Sequence, residues 1–129
     1  MTLTPAQIQA SFQSRTQLPE LLNSLNLKGF GVEVGVQRGV NASHIRRVWQ
    51  GEKLFCVDPW RPYLGVDDTQ EMHDSYLADA TRALGETGKP YGLLRMPSLE
   101  GAARLAARNT VLDFCYLDGD HFYEAVVAD

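Results

Sequence analysis

A chain of 129 residues and 14.4 kDa has the size of one ordinary domain, and at that size about two-thirds of the surface exposed by the unfolded chain can be buried. Apolar residues at 44% and charged residues at 22% exclude a disordered chain, and a net charge of −4 gives no general attraction to phosphate backbones, so nucleic acid is not an expected partner. No apolar run approaches the ~20 residues that a membrane span needs, and Met1 to Ala10 lacks the basic start and apolar block of a secretory signal, which makes the cytoplasm the default compartment.

The first helix signal is Leu3-Thr4-Pro5-Ala6-Gln7-Ile8, in which Thr4 and Gln7 form a capping box, Pro5 suits the first helical position and Leu3 can staple onto Ile8. A short second helix is predicted from Pro19 to Leu25, ended by Lys28-Gly29. Phe30 to Val34 then reads as a buried strand, followed by a glycine-bearing turn and a helix over Asn41 to Trp49 with Ile45, Val48 and Trp49 on its apolar face. Lys53 to Val57 is a second strand, closed by Asp58-Pro59.

The next helix is predicted over Thr69 to Leu84, opened by a capping box of Asp68 and Glu71, with Met72, Tyr76, Ala80, Ala83 and Leu84 at helical spacing. Tyr91 to Met96 is a third strand, Ser98 caps a helix through Ala107, and Val111 to Leu117 is a fourth strand. A last helix begins near Tyr123, and its interruption at Asp129 predicts a domain cut short, a naturally short protein being the other reading. Cys56 and Cys115 are too few for a disulfide scaffold and, lying in strand-like runs, read as buried thiols.

Strands alternating with helices predict an α/β architecture: a Rossmann-like, doubly wound, mostly parallel sheet over residues 29–129, preceded by an N-terminal helical segment over 1–28. In such sheets ligands bind outside the carboxyl ends of the strands. After the first strand come Glu33, Gly35, Gly39 and Asn41, a tight turn leading to a helix N-terminus that can face an anion; a turn without a ligand is the alternative. The segment lacks the Gly-x-Gly-x-x-Gly of dinucleotide enzymes, which leaves a nicotinamide dehydrogenase as a poor third choice.

Asp58, after the second strand, suits ribose hydroxyls or a simple turn before Pro59, and Ser98, after the third, is a helix cap with an adenine contact as a second role. After the fourth strand, Asp118, Asp120 and His121 gather polar groups suited to a hard divalent cation, or else to a solvated turn and a helix cap. His44 and His73 fall on helices away from the strand ends and are expected to face solvent, while Trp60 suits either stacking on a base or covering the sheet edge.

Glycines after the first strand, an acid after the second, a serine after the third and an aspartate after the fourth resemble the class I S-adenosylmethionine-dependent methyltransferases. The segments VEVGVQRG (Val32 to Gly39), FCVDPW (Phe55 to Trp60) and DFCYLDGDHFYEAV (Asp113 to Val126) look most similar to the small-molecule O-methyltransferase branch, the family grouped with macrolide-sugar methyltransferases and cephalosporin-hydroxylase-like proteins. The resemblance covers Leu18 onward and implies strand order 3-2-1-4. It also implies that Glu33, Gly35 and Gly39 line the methionine side of S-adenosylmethionine, with Asn41 near its carboxylate, Asp58 on the ribose and Ser98 at the adenine edge. Asp118 would lie beside the transferred methyl group and, in metal-dependent members, bind Mg²⁺; His121 matches a general base.

The implied activity is methylation of a hydroxyl on a small-molecule substrate. Relatives continue with a fifth strand bearing further acidic ligands and two more strands that complete the substrate pocket. A non-catalytic nucleoside-binding or interaction module of the same fold is the alternative. It carries the expectation of a homo-oligomer formed through an exposed fourth strand.

Overall fold

The computed structural model describes residues 15–62 and 68–118. A single 3-10 turn at Arg15–Gln17 leads into α1 (Leu18–Ser24), and the chain then alternates: β1 (Phe30–Val34), α2 (Val40–Val48), β2 (Lys53–Val57), α3 (Gln70–Gly85), β3 (Tyr91–Leu94), α4 (Ser98–Ala107) and β4 (Leu112–Leu117). The four strands form one sheet in the order β3-β2-β1-β4, all pairs parallel, which is the expected Rossmann-like arrangement. The helix signals at Leu3 and near Tyr123 lie outside the described residues.

Parallel pairing puts residues of equal register on the same face, so two separate cores follow from the strand alternation. On one face Leu54 and Cys56 meet Leu22 of α1, Ala42 and Ile45 of α2, Trp49, and Ala80 and Leu84 of α3. On the other, Val32, Phe55 and Val57 meet Leu105 of α4. Gly31 makes room for the Phe114 ring, which stands edge-on to Trp49 at 4.9 Å; a Cβ at Gly31 would lie within the ring's own space. The Trp49 indole N–H donates to the Leu27 carbonyl at 2.6 Å, so the largest core side chain also has its polar atom satisfied.

Several local expectations are corrected. Thr69, not Asp68, caps α3, its hydroxyl accepting from the Met72 N–H at 3.1 Å, and Pro97 rather than Ser98 precedes α4, with no side-chain cap bond. The inward face of α3 includes Tyr76, Ala80 and Leu84 as expected, but at its start His73 turns inward in place of Met72, which is exposed. His73 is accordingly 5% exposed and not solvent-facing, with its Nε2 3.1 Å from Asp68. His44 is half-buried, its Nε2 2.9 Å from the Thr16 carbonyl oxygen.

β3 stops at Leu94 because the chain turns there: the Met96 N–H donates back to the Leu94 carbonyl, and Arg95 reaches out to Asp74 and to the Trp60 carbonyl. Cys56 is buried as expected, but Cys115 is exposed. β4 is the edge of the described sheet, and Val111 and Leu117 beside it are 78% and 48% exposed.

Gly39 caps α2 with φ +79°, and a Cβ there would stand 2.8 Å from the Ala80 Cα, so it fixes both the helix entry and the approach of α3. Gly39→Ala is expected to lower stability by about 2 kcal/mol in urea denaturation, the sum of left-handed backbone strain and crowding against α3. An unchanged midpoint would show that α2 enters by another route.

Candidate functional site at the strand ends

The carboxyl ends of β1, β2 and β4 lie side by side, with Glu33 in register with Cys56 and with Tyr116, and Val34 with Val57 and Leu117. Glu33 and Asp58 therefore share one rim, close enough that the Asp58 charge acts on the Glu33 carboxyl. Glu33 is only 1% exposed. Its Oε1 accepts from the Asn41 side-chain amide at 2.6 Å, while its buried Oε2 has no hydrogen-bond partner. Burial pushes the carboxyl up to about 7; the Asn41 bond and the Arg15 charge act in the opposite direction, and Asp118 and Asp58 add to the rise.

Asp58 is a junction between two turns. Its Oδ2 accepts from the backbone N–H groups of Val36 and Gln37, both at 2.9 Å, and its Oδ1 from the Trp60 N–H at 2.8 Å. A carboxylate offers about four acceptor positions, so three backbone donors leave one for a hydroxyl. The turn role is thus present in the geometry, and a two-hydroxyl grip on a ribose would require one of these bonds to yield. Trp60 is fully buried and donates its indole N–H to the Gln37 carbonyl at 2.8 Å. It joins the β1–α2 and β2–α3 turns from inside and offers no open face to a base.

Gly35 follows β1 with φ +89°, and its N–H donates to the Val57 carbonyl, which folds the turn down onto β2. Beyond it, α2 starts at Gly39 without a side-chain cap, and the first N–H groups of a helix have no carbonyl within it to bond. Ser98 stands half-buried at the first position of α4.

Asp118 closes the row: its N–H donates to the Val34 carbonyl at 2.8 Å, and its carboxylate lies 3.5 Å from the Arg15 guanidinium. Burial raises the Tyr116 phenol, with Asp118 adding to the effect and Arg15 opposing it. Arg15 and Tyr116 were not singled out from the sequence. The first lies 103 positions from its partner, and the second acquires its place only through the β1–β4 register.

The strand ends bring Glu33, Asn41, Asp58 and Asp118 together around the Gly35 turn, and Ser98 lies beyond β3. His121 and Asp120 fall outside the described residues. Among the described residues no three His, Cys, Asp or Glu side chains are grouped as a metal site, and Asp118 engages Arg15, so these residues do not by themselves make the Mg²⁺ site that the resemblance implies. Nor is any described helix long and apolar enough to cross a membrane. A buried acid with an unused oxygen, a helix start without a side-chain cap and a glycine turn can serve a ligand that carries an ammonium and a carboxylate. No family model matches the chain, and no curated protein matches it.

Proposed function

We propose that the chain binds S-adenosylmethionine at the carboxyl ends of β1, β2 and β4 and directs methyl transfer to a hydroxyl of a small molecule. The observation that carries this reading is Glu33: a carboxylate nine-tenths buried and more, held on one oxygen by Asn41 and unpartnered on the other, next to an uncapped helix start. Burying such a group without a donor is costly unless a ligand completes it.

When bound, the cofactor supplies an activated methyl group. The protein's share is orientation: the N–H groups opening α2 face the ligand carboxylate, Glu33 favours its ammonium, and the remaining acceptor position of Asp58 takes a ribose hydroxyl. His121 is the proposed base for the acceptor hydroxyl and lies outside the described residues. No step is assigned to a metal.

Calorimetry with S-adenosylhomocysteine tests the first link: micromolar binding is expected, and neither heat nor a thermal shift at millimolar ligand would overturn it. NAD should fail to compete in the same assay. A second reading, a non-catalytic interaction module, draws on the exposed Val111 and Leu117 at the β4 edge. It requires a dimer by light scattering at high concentration, and a clean monomer would count against it.

A further inference from the structure

We infer that ligand binding at the strand ends is coupled to loss of a proton from Glu33, whose buried Oε2 has no hydrogen-bond partner, so that affinity for an ammonium-bearing nucleoside rises with pH. This rests on the nucleoside reading above and adds its regulation. The geometry is that of a carboxyl group with a single donor. Asn41 of α2 serves Oε1 at 2.6 Å, and Oε2 is sealed without a partner.

The ionisable groups around it are unequal in sign. Asp58 and Cys56 face it from β2, and Tyr116 and Asp118 from β4. Arg15, ahead of α1, is the cation that acts on it. Asp118 already takes part of the Arg15 charge. An ionised Glu33 therefore sits among acidic neighbours, and the burial that raises its titration to about 7 makes the protonated form the resting partner of Asn41 at and below that pH.

A ligand ammonium placed at the end of β1 supplies the missing positive charge. The carboxyl then releases its proton to solvent, while the ligand retains all of its own. Because only the ionised form is competent, the apparent affinity is scaled by the ionised fraction.

The experiment is calorimetric titration of the full chain with S-adenosylhomocysteine between pH 6 and 8, in two buffers of different ionisation heat. 5′-Methylthioadenosine, which lacks the amino-acid end, serves as the control ligand. S-adenosylhomocysteine should bind about tenfold more tightly at pH 8 than at pH 6, with net proton release at the lower pH, whereas the control should show neither. Glu33→Gln should flatten the profile.

A parallel NMR titration of the Glu33 carboxyl carbon in the wild-type chain should show its midpoint falling on saturation with ligand, independently of any variant. Binding of S-adenosylhomocysteine with a flat pH profile and an unmoved midpoint would overturn the coupling while leaving the proposed function standing. An equal pH step for 5′-methylthioadenosine would also overturn it. No binding of either ligand at any pH would remove the function and the coupling with it.

Discussion

Asp58→Ala is expected to destabilise the protein by about 3–5 kcal/mol, more than any other single change at the strand ends, because hydrogen bonds to a charged acceptor are each worth roughly 1.5–3 kcal/mol and three are lost together. The loss falls short of the sum of three such bonds because the freed N–H groups can bond water, but the carboxylate also holds an unusual backbone. Gln37 and Trp60 adopt φ of +50° and +45°, and one N–H donor to Asp58 comes from each of them. Non-glycine residues in that region persist only where their surroundings over-determine them.

Asp58→Asn should recover part of the loss, because its amide oxygen can serve Val36 and Gln37 while its NH₂ cannot accept from Trp60. Urea denaturation of both variants checks the order. Equal and small effects would mean that the turns hold themselves. The same variants should lose S-adenosylhomocysteine binding together, since the Gly35 turn and the start of α2 hang from this carboxylate.

Glu33→Gln is expected to act in the opposite direction and to raise stability at alkaline pH. Burial lifts the Glu33 carboxyl from 4.5 to about 7, so the folded protein holds this proton more tightly than the unfolded chain. The stability linked to the group is complete below pH 4.5 and falls away as the pH rises to about 7, a total of about 3 kcal/mol. Glutamine does not titrate. Its stability should match the wild type near pH 4.5 and exceed it by about 3 kcal/mol at pH 8.5. Chemical denaturation at four pH values provides the comparison. A difference between the two proteins that does not change with pH would show that Glu33 carries no proton-linked cost. A protein made sturdier by losing a buried acid at a strand end fits a residue kept for binding.

The parallel framework was readable in the sequence because its signals are local. β1 and β2 are five-residue, mostly apolar segments bounded by glycine or by Asp58-Pro59, and their observed limits are the predicted ones. The rim shared by Glu33 and Asp58 follows from strand order alone, since residues closing neighbouring parallel strands must meet.

What escaped was orientation and long-range contact. Met72 and His73 differ by one position, about a quarter of a helical turn, and only packing against α2 decides which turns inward. Cys115 read as a buried thiol from its apolar run, yet the described helices leave its face of β4 exposed. The commitment of Asp58 to three backbone donors depends on turn dihedrals that residue types do not specify. Arg46 falls four positions after Ala42 and three before Trp49, inside the buried stripe of α2, a spacing at which a charged side chain must find partners.

That guanidinium has a consequence for how the molecule can yield. Arg46 is buried and donates to the carbonyls of Trp49 at 3.1 Å, Gly51 at 2.6 Å and Pro90 at 2.8 Å, cinching the connections that enter β2 and β3. The opposite end of the sheet is held by the Asp58 carboxylate, the Trp60 indole and the backbone bond from Gly35 to Val57. With three carbonyls on one guanidinium, the segments before β2 and β3 cannot part without stranding a buried cation. In hydrogen exchange, the amides entering β2 and β3 should be the slow reporters, while those of Val36, Gln37 and Asp118 should change pace when S-adenosylhomocysteine is added.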